Sequence, residues 1–113
     1  MLFVEFPAFT NAISKLPDDD YALFQKKLAA DPEQGAVIRG SGGFRKTRMA
    51  FPSAGIGKSG GARVVYLYLS DVQIIVLVTL YAKSKKADLS KAEENELRRI
   101  SAEIRHSLDS RRH

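Results

Sequence analysis

Two rhythms of apolar residues alternate along this chain, one of helical period and one of strand period. Residues 2–6 (LFVEF) have the length and composition of a short strand. Phe9, Ile13 and Leu16 follow at i, i+4 and i+7, one face of a helix that Pro17 closes. Asp18, Asp19 and Asp20 open a second helix. A carboxylate at that end can accept from free backbone N–H groups and meets the positive end of the helix dipole. Tyr21, Phe24 and Leu28 form its apolar face, Gln25, Lys26 and Lys27 stay polar, and Asp31-Pro32 ends it. The two helices read as a hairpin packed on a sheet.

The strand rhythm then takes over. After a glycine-rich passage from Gly35 to Gly43, residues 44–51 read as a strand, with Phe44, Lys46, Arg48 and Ala50 on one face and Arg45, Thr47, Met49 and Phe51 on the other. Residues 52–61 form a loop rich in glycine and serine. Residues 63–69 (RVVYLYL) are strong strand formers, Ser70-Asp71 makes a tight turn, and residues 73–83 return as a long strand. That strand is apolar on both faces over 74–78, as a central strand is. Strict alternation along it puts Gln73, Ile75, Leu77, Thr79, Tyr81 and Lys83 on one face, with Arg63 opposite a residue near Thr79. Finally, Ser90 and Glu93 fit a capping box, and Leu97, Ile100, Ile104 and Leu108 form one stripe of a last helix. The order β-α-α-β-β-β-α predicts an α+β fold: a small, mostly antiparallel sheet with two N-terminal helices and one C-terminal helix.

At 113 residues this is one domain, 1–113. No apolar run is long enough to cross a bilayer, and the N-terminus lacks the basic opening of a signal peptide, so a cytoplasmic protein without a membrane partner is expected. There is no cysteine, which removes disulfides, thiolate catalysis and Cys-based zinc sites. The net charge of +5 is unevenly placed: residues 1–35 carry −3, residues 36–70 carry +6 with no acidic side chain, and residues 71–90 and 91–113 carry +1 each. A basic middle suits a polyanionic partner, because each neutralised phosphate releases condensed counterions; a solvated basic face has the same composition.

Cleaving RNA without a metal requires a group to take the ribose 2′ proton, cations on the developing phosphorane and a donor to the 5′ leaving oxygen. Histidine commonly fills the acid and base roles, but His106 and His113 lie in the last helix and the tail and are read as bystanders. A lysine serves as base only where neighbouring cations depress its pKa, and crowding Lys58, Arg63, Lys83 and Lys86 is one way to do so. Tyr81 can donate a hydrogen bond or stack on a base. The segment GIGKSGG lacks the spacing of a nucleotide-binding P-loop. No Asp/Glu pair interrupts the basic region, so metal or other cofactor dependence is not expected.

Two stretches carry a resemblance: GSGGFRKTRMAFPSAGIGKSGGARVVYLY from Gly40, then LVTLYAKSKKADLS to Ser90. Together they resemble the RelE/HigB toxins of bacterial type II toxin–antitoxin systems, HigB-like members most of all, in which G-K-S-G-G-x-R-V-x-Y and Y-A-K-x-x-K-x-D-L stretches recur. The resemblance implies a metal-independent mRNA endonuclease that cuts messages in the ribosomal A site, and a cognate antitoxin, HigA-like or RelB-like. It implies that Arg63 stabilises the transition-state phosphate, with Lys58 in the loop before it and Lys83 and Lys86 after the last strand. Arg45, Lys46 and Arg48 then border the RNA path, with Lys85 beside it. Several RelE members have a stacking tyrosine further on; here that segment reads ADLS, and Tyr81 is taken as the substitute. Rival readings are a ParE-like toxin of DNA gyrase on the same fold and a non-catalytic nucleic-acid-binding module.

Overall fold

The computed structural model describes residues 1–55, 57, 60–86 and 88–111. Its elements are β1 (Leu2–Glu5), α1 (Pro7–Ile13), α2 (Asp18–Ala30), β2 (Ala36–Val37), β3 (Arg45–Met49), β4 (Ala62–Leu69), β5 (Ile74–Ala82) and α3 (Lys91–Arg111), with a short 3-10 turn at Pro52–Ala54. The expected order holds, with one addition: the glycine-rich passage contains the two-residue strand β2. The sheet runs β1-β5-β4-β3-β2. Among the described residues the β1–β5 pairing is parallel and the other pairings are antiparallel. β5 is internal, which is why both its faces are apolar.

The sheet is covered on both faces. Phe9, Ile13, Phe24 and Leu28 of α1 and α2 pack with Met49, Val64, Tyr66, Ile75 and Leu77. On the other face Phe44, Val65, Leu67, Val76 and Val78 pack against Leu97, with Ile100, Ile104 and Leu108 alongside. The stripe read from the last helix is therefore its buried face. Its capping box is formed as expected: the Ser90 N–H donates to Glu93 Oε1 at 2.8 Å, and the Glu93 N–H donates to Ser90 Oγ at 3.1 Å.

Two expectations are corrected. The face assignment along β5 fails because its alternation is interrupted. Val65 pairs with Thr79 and Tyr66 with Leu77, so Val78 is an extra, bulged residue. Ile75 and Leu77 face α1 and α2, while Thr79 and Tyr81 lie on the α3 face. Arg63 sits opposite Tyr81, near but not at Thr79: the hairpin pairs Leu69 with Ile74, one residue later than a turn centred on Asp71 gives, and the bulge adds one more. At the start of α2, no aspartate caps the backbone; Pro17 holds the cap position. Asp20 instead reaches across to the turn after β3, accepting from Ser53 N–H at 3.2 Å and Ser53 Oγ–H at 2.6 Å. The Asp20 side chain is buried, so these two bonds replace the water its charge has lost.

Glycine is required where β3 and β4 draw together. A Cβ at Gly61 would lie 1.9 Å from the Met49 carbonyl oxygen. The last glycine of the GKSGG stretch therefore serves close packing of backbone on backbone.

Candidate functional site

Register builds the site. Arg48 pairs with Arg63 across β3–β4, and Arg63 pairs with Tyr81 across β4–β5, so the three residues share one row of the register on the α3 face of the sheet, with the exposed Arg48 at its edge, where it also borders Asp20 and Lys27 of α2. Lys46, two residues before Arg48, lies on the same face in the next row with Val65 and Thr79. The row lies beyond the N-terminal end of α3, where Phe44 and Val65 give way to charged side chains. Arg45 points the other way. It donates to the Glu33 carbonyl at 3.1 Å and the Gly35 carbonyl at 2.8 Å, and pairs with the Glu33 carboxylate at 3.7 Å. Lys46 and Arg48, not Arg45, therefore share the face of Arg63.

Arg63 is only 7% exposed. Its Nη1 lies 3.4 Å from the Ala62 carbonyl. Tyr81 is half-buried, and its hydroxyl, shielded from solvent, has no hydrogen-bond partner among the described residues. Its pKa is raised, chiefly by burial and also by Asp88, against the lowering pull of Lys46, Lys86 and Arg63. Burial wins over three cations, so at neutral pH Tyr81 keeps its proton. It is a donor awaiting an acceptor, not a phenolate base. The Lys86 Nζ sits 5.7 Å from the centre of its ring, within cation–π range.

Two carboxylates enter this cluster. Lys46 Nζ pairs with Asp88 at 2.9 Å, and Lys86 pairs with Glu93. Glu93 thus caps α3 through one oxygen and holds Lys86 through the other. Both acids titrate below the usual carboxylate range, chiefly because their lysines hydrogen-bond the charged form. The sequence conceals them, since 36–70 is free of acid and Asp88 and Glu93 read as part of a helix-capping segment. Only folding brings that segment against β3.

The remaining candidates are placed as follows. Lys83 and Lys85 lie exposed in the turn after β5. His106 is exposed on α3, away from the row. Lys58 and His113 lie outside the described residues. Tyr66 is a core residue whose hydroxyl donates to the Pro32 carbonyl at 2.7 Å and accepts the Gly35 N–H at 3.1 Å.

The class is set by these features: a small α+β domain whose sheet presents a row of arginine, arginine and tyrosine at the open end of its C-terminal helix, suited to a phosphate-bearing ligand. The chain belongs to the RelE toxin family, since residues 20–111 match the family model described as the RelE toxin of the RelE/RelB toxin–antitoxin system. Solved structures share the fold. A mutant E. coli RelE toxin in the free state aligns with a TM-score of 0.54 at 16% identity, over 76% of this chain and 86% of that one. The isolated E. coli RelE toxin gives 0.52 at 17%, over 88% and 97%. The intact E. coli RelBE toxin–antitoxin complex gives 0.53 at 15%, over 72% and 94%.

Proposed function

We propose that this chain is a HigB-like mRNA endonuclease that cuts messages on the ribosome and so arrests translation. The row of Arg48, Arg63 and Tyr81, with Lys46 and Lys86 flanking it, is the observation that carries the reading. The ribose 2′ oxygen attacks the adjacent phosphorus, and the bond from phosphorus to the 5′ oxygen breaks. The products are a 2′,3′-cyclic phosphate and a free 5′ hydroxyl. Arg63 meets the developing phosphorane charge with a guanidinium fork, in a site where burial strengthens the interaction. The protonated Tyr81 hydroxyl donates toward the phosphate or the leaving oxygen. Lys58 and Lys83 are the candidates to take the 2′ proton; Lys85 and Arg48 guide the backbone.

A cognate antitoxin of HigA-like or RelB-like kind covers the basic face, by an acidic or amphipathic segment. Support comes from family membership and from the toxin–antitoxin complex among the structural relatives. The working compartment is that of the ribosome, the cytoplasm; no helix among the described residues is long and apolar enough to cross a membrane.

The test is to map mRNA ends after brief induction of the wild type and of Arg63→Ala. New internal ends and growth arrest are expected from the wild type, and neither from a folded Arg63→Ala protein. Full toxicity of Arg63→Ala with intact messages refutes the assignment, and gyrase-linked DNA breaks in its place point to a ParE-like target.

A further inference from the structure

Folding brings two carboxylates onto the cationic row, and each is held there twice. Asp88 Oδ1 accepts from Lys46 Nζ at 2.9 Å and from the Leu89 N–H at 2.8 Å. Glu93 pairs with Lys86 through Oε2 and accepts the Ser90 N–H at 2.8 Å through Oε1. The backbone bonds fix each acid whether or not its lysine stays. Lys86 in turn lies over the Tyr81 ring, with Nζ 5.7 Å from its centre. Of the four cations Lys46, Arg48, Arg63 and Lys86, two are thus neutralised in place.

Stability alone is a weak reason for these pairs. The Asp88 side chain is 69% exposed and that of Glu93 41%, and ion pairs so open to water add little to a fold. The helix α3 has its capping box and its apolar stripe without either lysine. What the acids do change is the charge that an incoming polyanion meets. A phosphate reaching Lys46 or Lys86 displaces a carboxylate that its backbone bond keeps nearby. The competitor is tethered, with the high effective concentration that tethering gives. Counterion release, the main electrostatic source of affinity for RNA, is reduced at each lysine that starts out paired.

We propose that Asp88 and Glu93 are an electrostatic mask: they withhold Lys46 and Lys86 from RNA that arrives by diffusion and yield them to a phosphate already held in place. The proposal rests on the row's being an RNA site, and adds what keeps so basic a chain from binding every RNA it meets. Each acid acts through its lysine, as a positioning residue that sets how readily the row accepts RNA.

The experiment measures binding of a short fluorescent 2′-O-methyl RNA, which cannot be cut, by anisotropy over a range of NaCl concentrations. The proteins are the wild type, Asp88→Asn, Glu93→Gln and the double variant. Asparagine and glutamine keep acceptors for the Leu89 and Ser90 N–H groups, so the charge alone is removed. Each single variant should bind about 1.5- to 5-fold tighter, the equivalent of one exposed ion pair, and the double variant by the product of the two gains. The slope of log K against log salt should steepen by up to about 0.7 per lysine released, the value for one single-strand phosphate contact. Asp109→Asn makes the same charge change roughly 24 Å away, near the far end of α3, and should alter binding far less. In a Lys46→Ala background the gain from Asp88→Asn should shrink. Variants that bind no tighter than wild type, a gain matched by Asp109→Asn, or a gain undiminished without Lys46 overturns the proposal. So does weaker RNA binding together with a lower urea midpoint, which would make the pairs structural props of α3. Failure of wild type and variants alike to bind RNA at low salt removes the RNA reading of the row, and the mask with it. Binding by the wild type with no gain in the variants removes the mask alone.

Discussion

Replacing Tyr81 by phenylalanine separates a functional hydroxyl from a structural one. The ring of Tyr81 packs with the cluster under α3 and beneath Lys86, and phenylalanine keeps those contacts. What is lost is one hydroxyl, shielded from solvent and without a partner among the described residues. A buried polar group left unpaired costs about 1–3 kcal/mol, and removing its oxygen recovers part of that while losing a few dispersion contacts. Tyr81→Phe is therefore expected to stabilise the protein by about 1 kcal/mol, a rise of ~4–8 °C in Tm for a domain of roughly this size. Its RNA cleavage should fall by about 10²-fold or more, the lower end of the range for a lost proton-transfer group. Tyr66→Phe is the control. That hydroxyl bonds Pro32 and Gly35, so its loss leaves a buried acceptor and a buried donor unpaired and should destabilise by about 1–3 kcal/mol. Urea denaturation and thermal melts measure stability, and message cleavage in a translation extract measures activity. If Tyr81→Phe is less stable than wild type and cuts normally, the hydroxyl is structural and the reasoning fails.

Other expectations follow from the same contacts. Asp20→Asn weakens charge-assisted bonds to Ser53 and should cost about 1–3 kcal/mol in urea denaturation, while an unchanged midpoint would mean the link between α2 and the turn after β3 is idle. Gly42→Ala places a Cβ 2.8 Å from the Ser101 Cβ at a backbone φ of +78°, and should lower Tm by several degrees as α3 is pushed off the 40–43 turn. Tyr21, Tyr66 and Tyr81 all have pKa values raised above the ordinary 10.0, burial being the largest cause in each. A raised folded-state pKa gives stability that is complete below the unfolded value and lost as pH rises through the folded one. Stability should thus decline above about pH 10, more steeply than in Tyr66→Phe; a flat profile there would contradict the burial of these hydroxyls.

Where one face of an element is apolar and a local motif marks its end, the sequence was readable. The stripe Leu97, Ile100, Ile104 and Leu108 and the Ser90–Glu93 box define α3 by short-range rules, and both hold. The β4–β5 hairpin was readable for the same reason. Its faces were not, because an extra residue at Val78 changes the phase of β5 without altering its composition. Any of Ile75, Val76, Leu77 and Val78 would suit either face of a sheet covered on both sides, so no polar residue marks the slip. Arg63 and Tyr81 nonetheless share the expected face, because the one-residue offset of the hairpin and the one-residue bulge add to two and restore the alternation. The acids were out of reach for a different cause. Asp88 meets Lys46 of β3 only through the docking of the segment that leads into α3, a contact between residues more than forty positions apart. Asp20 looked like a helix cap because that is the local use of an aspartate at such a position, and the long-range bond to Ser53 replaced it.

Cleavage by 2′ oxygen attack is tested most directly by the ends of the cut RNA and by the substrate's own 2′ hydroxyl. Purified protein added to ribosomes programmed with a defined message should leave a 2′,3′-cyclic phosphate or the 3′ phosphate derived from it upstream, and a 5′ hydroxyl downstream. A message carrying a single 2′-deoxy sugar at the mapped position should remain uncut there. Cutting of the deoxy message at the same bond, or a 5′ phosphate on the downstream piece, would contradict the account.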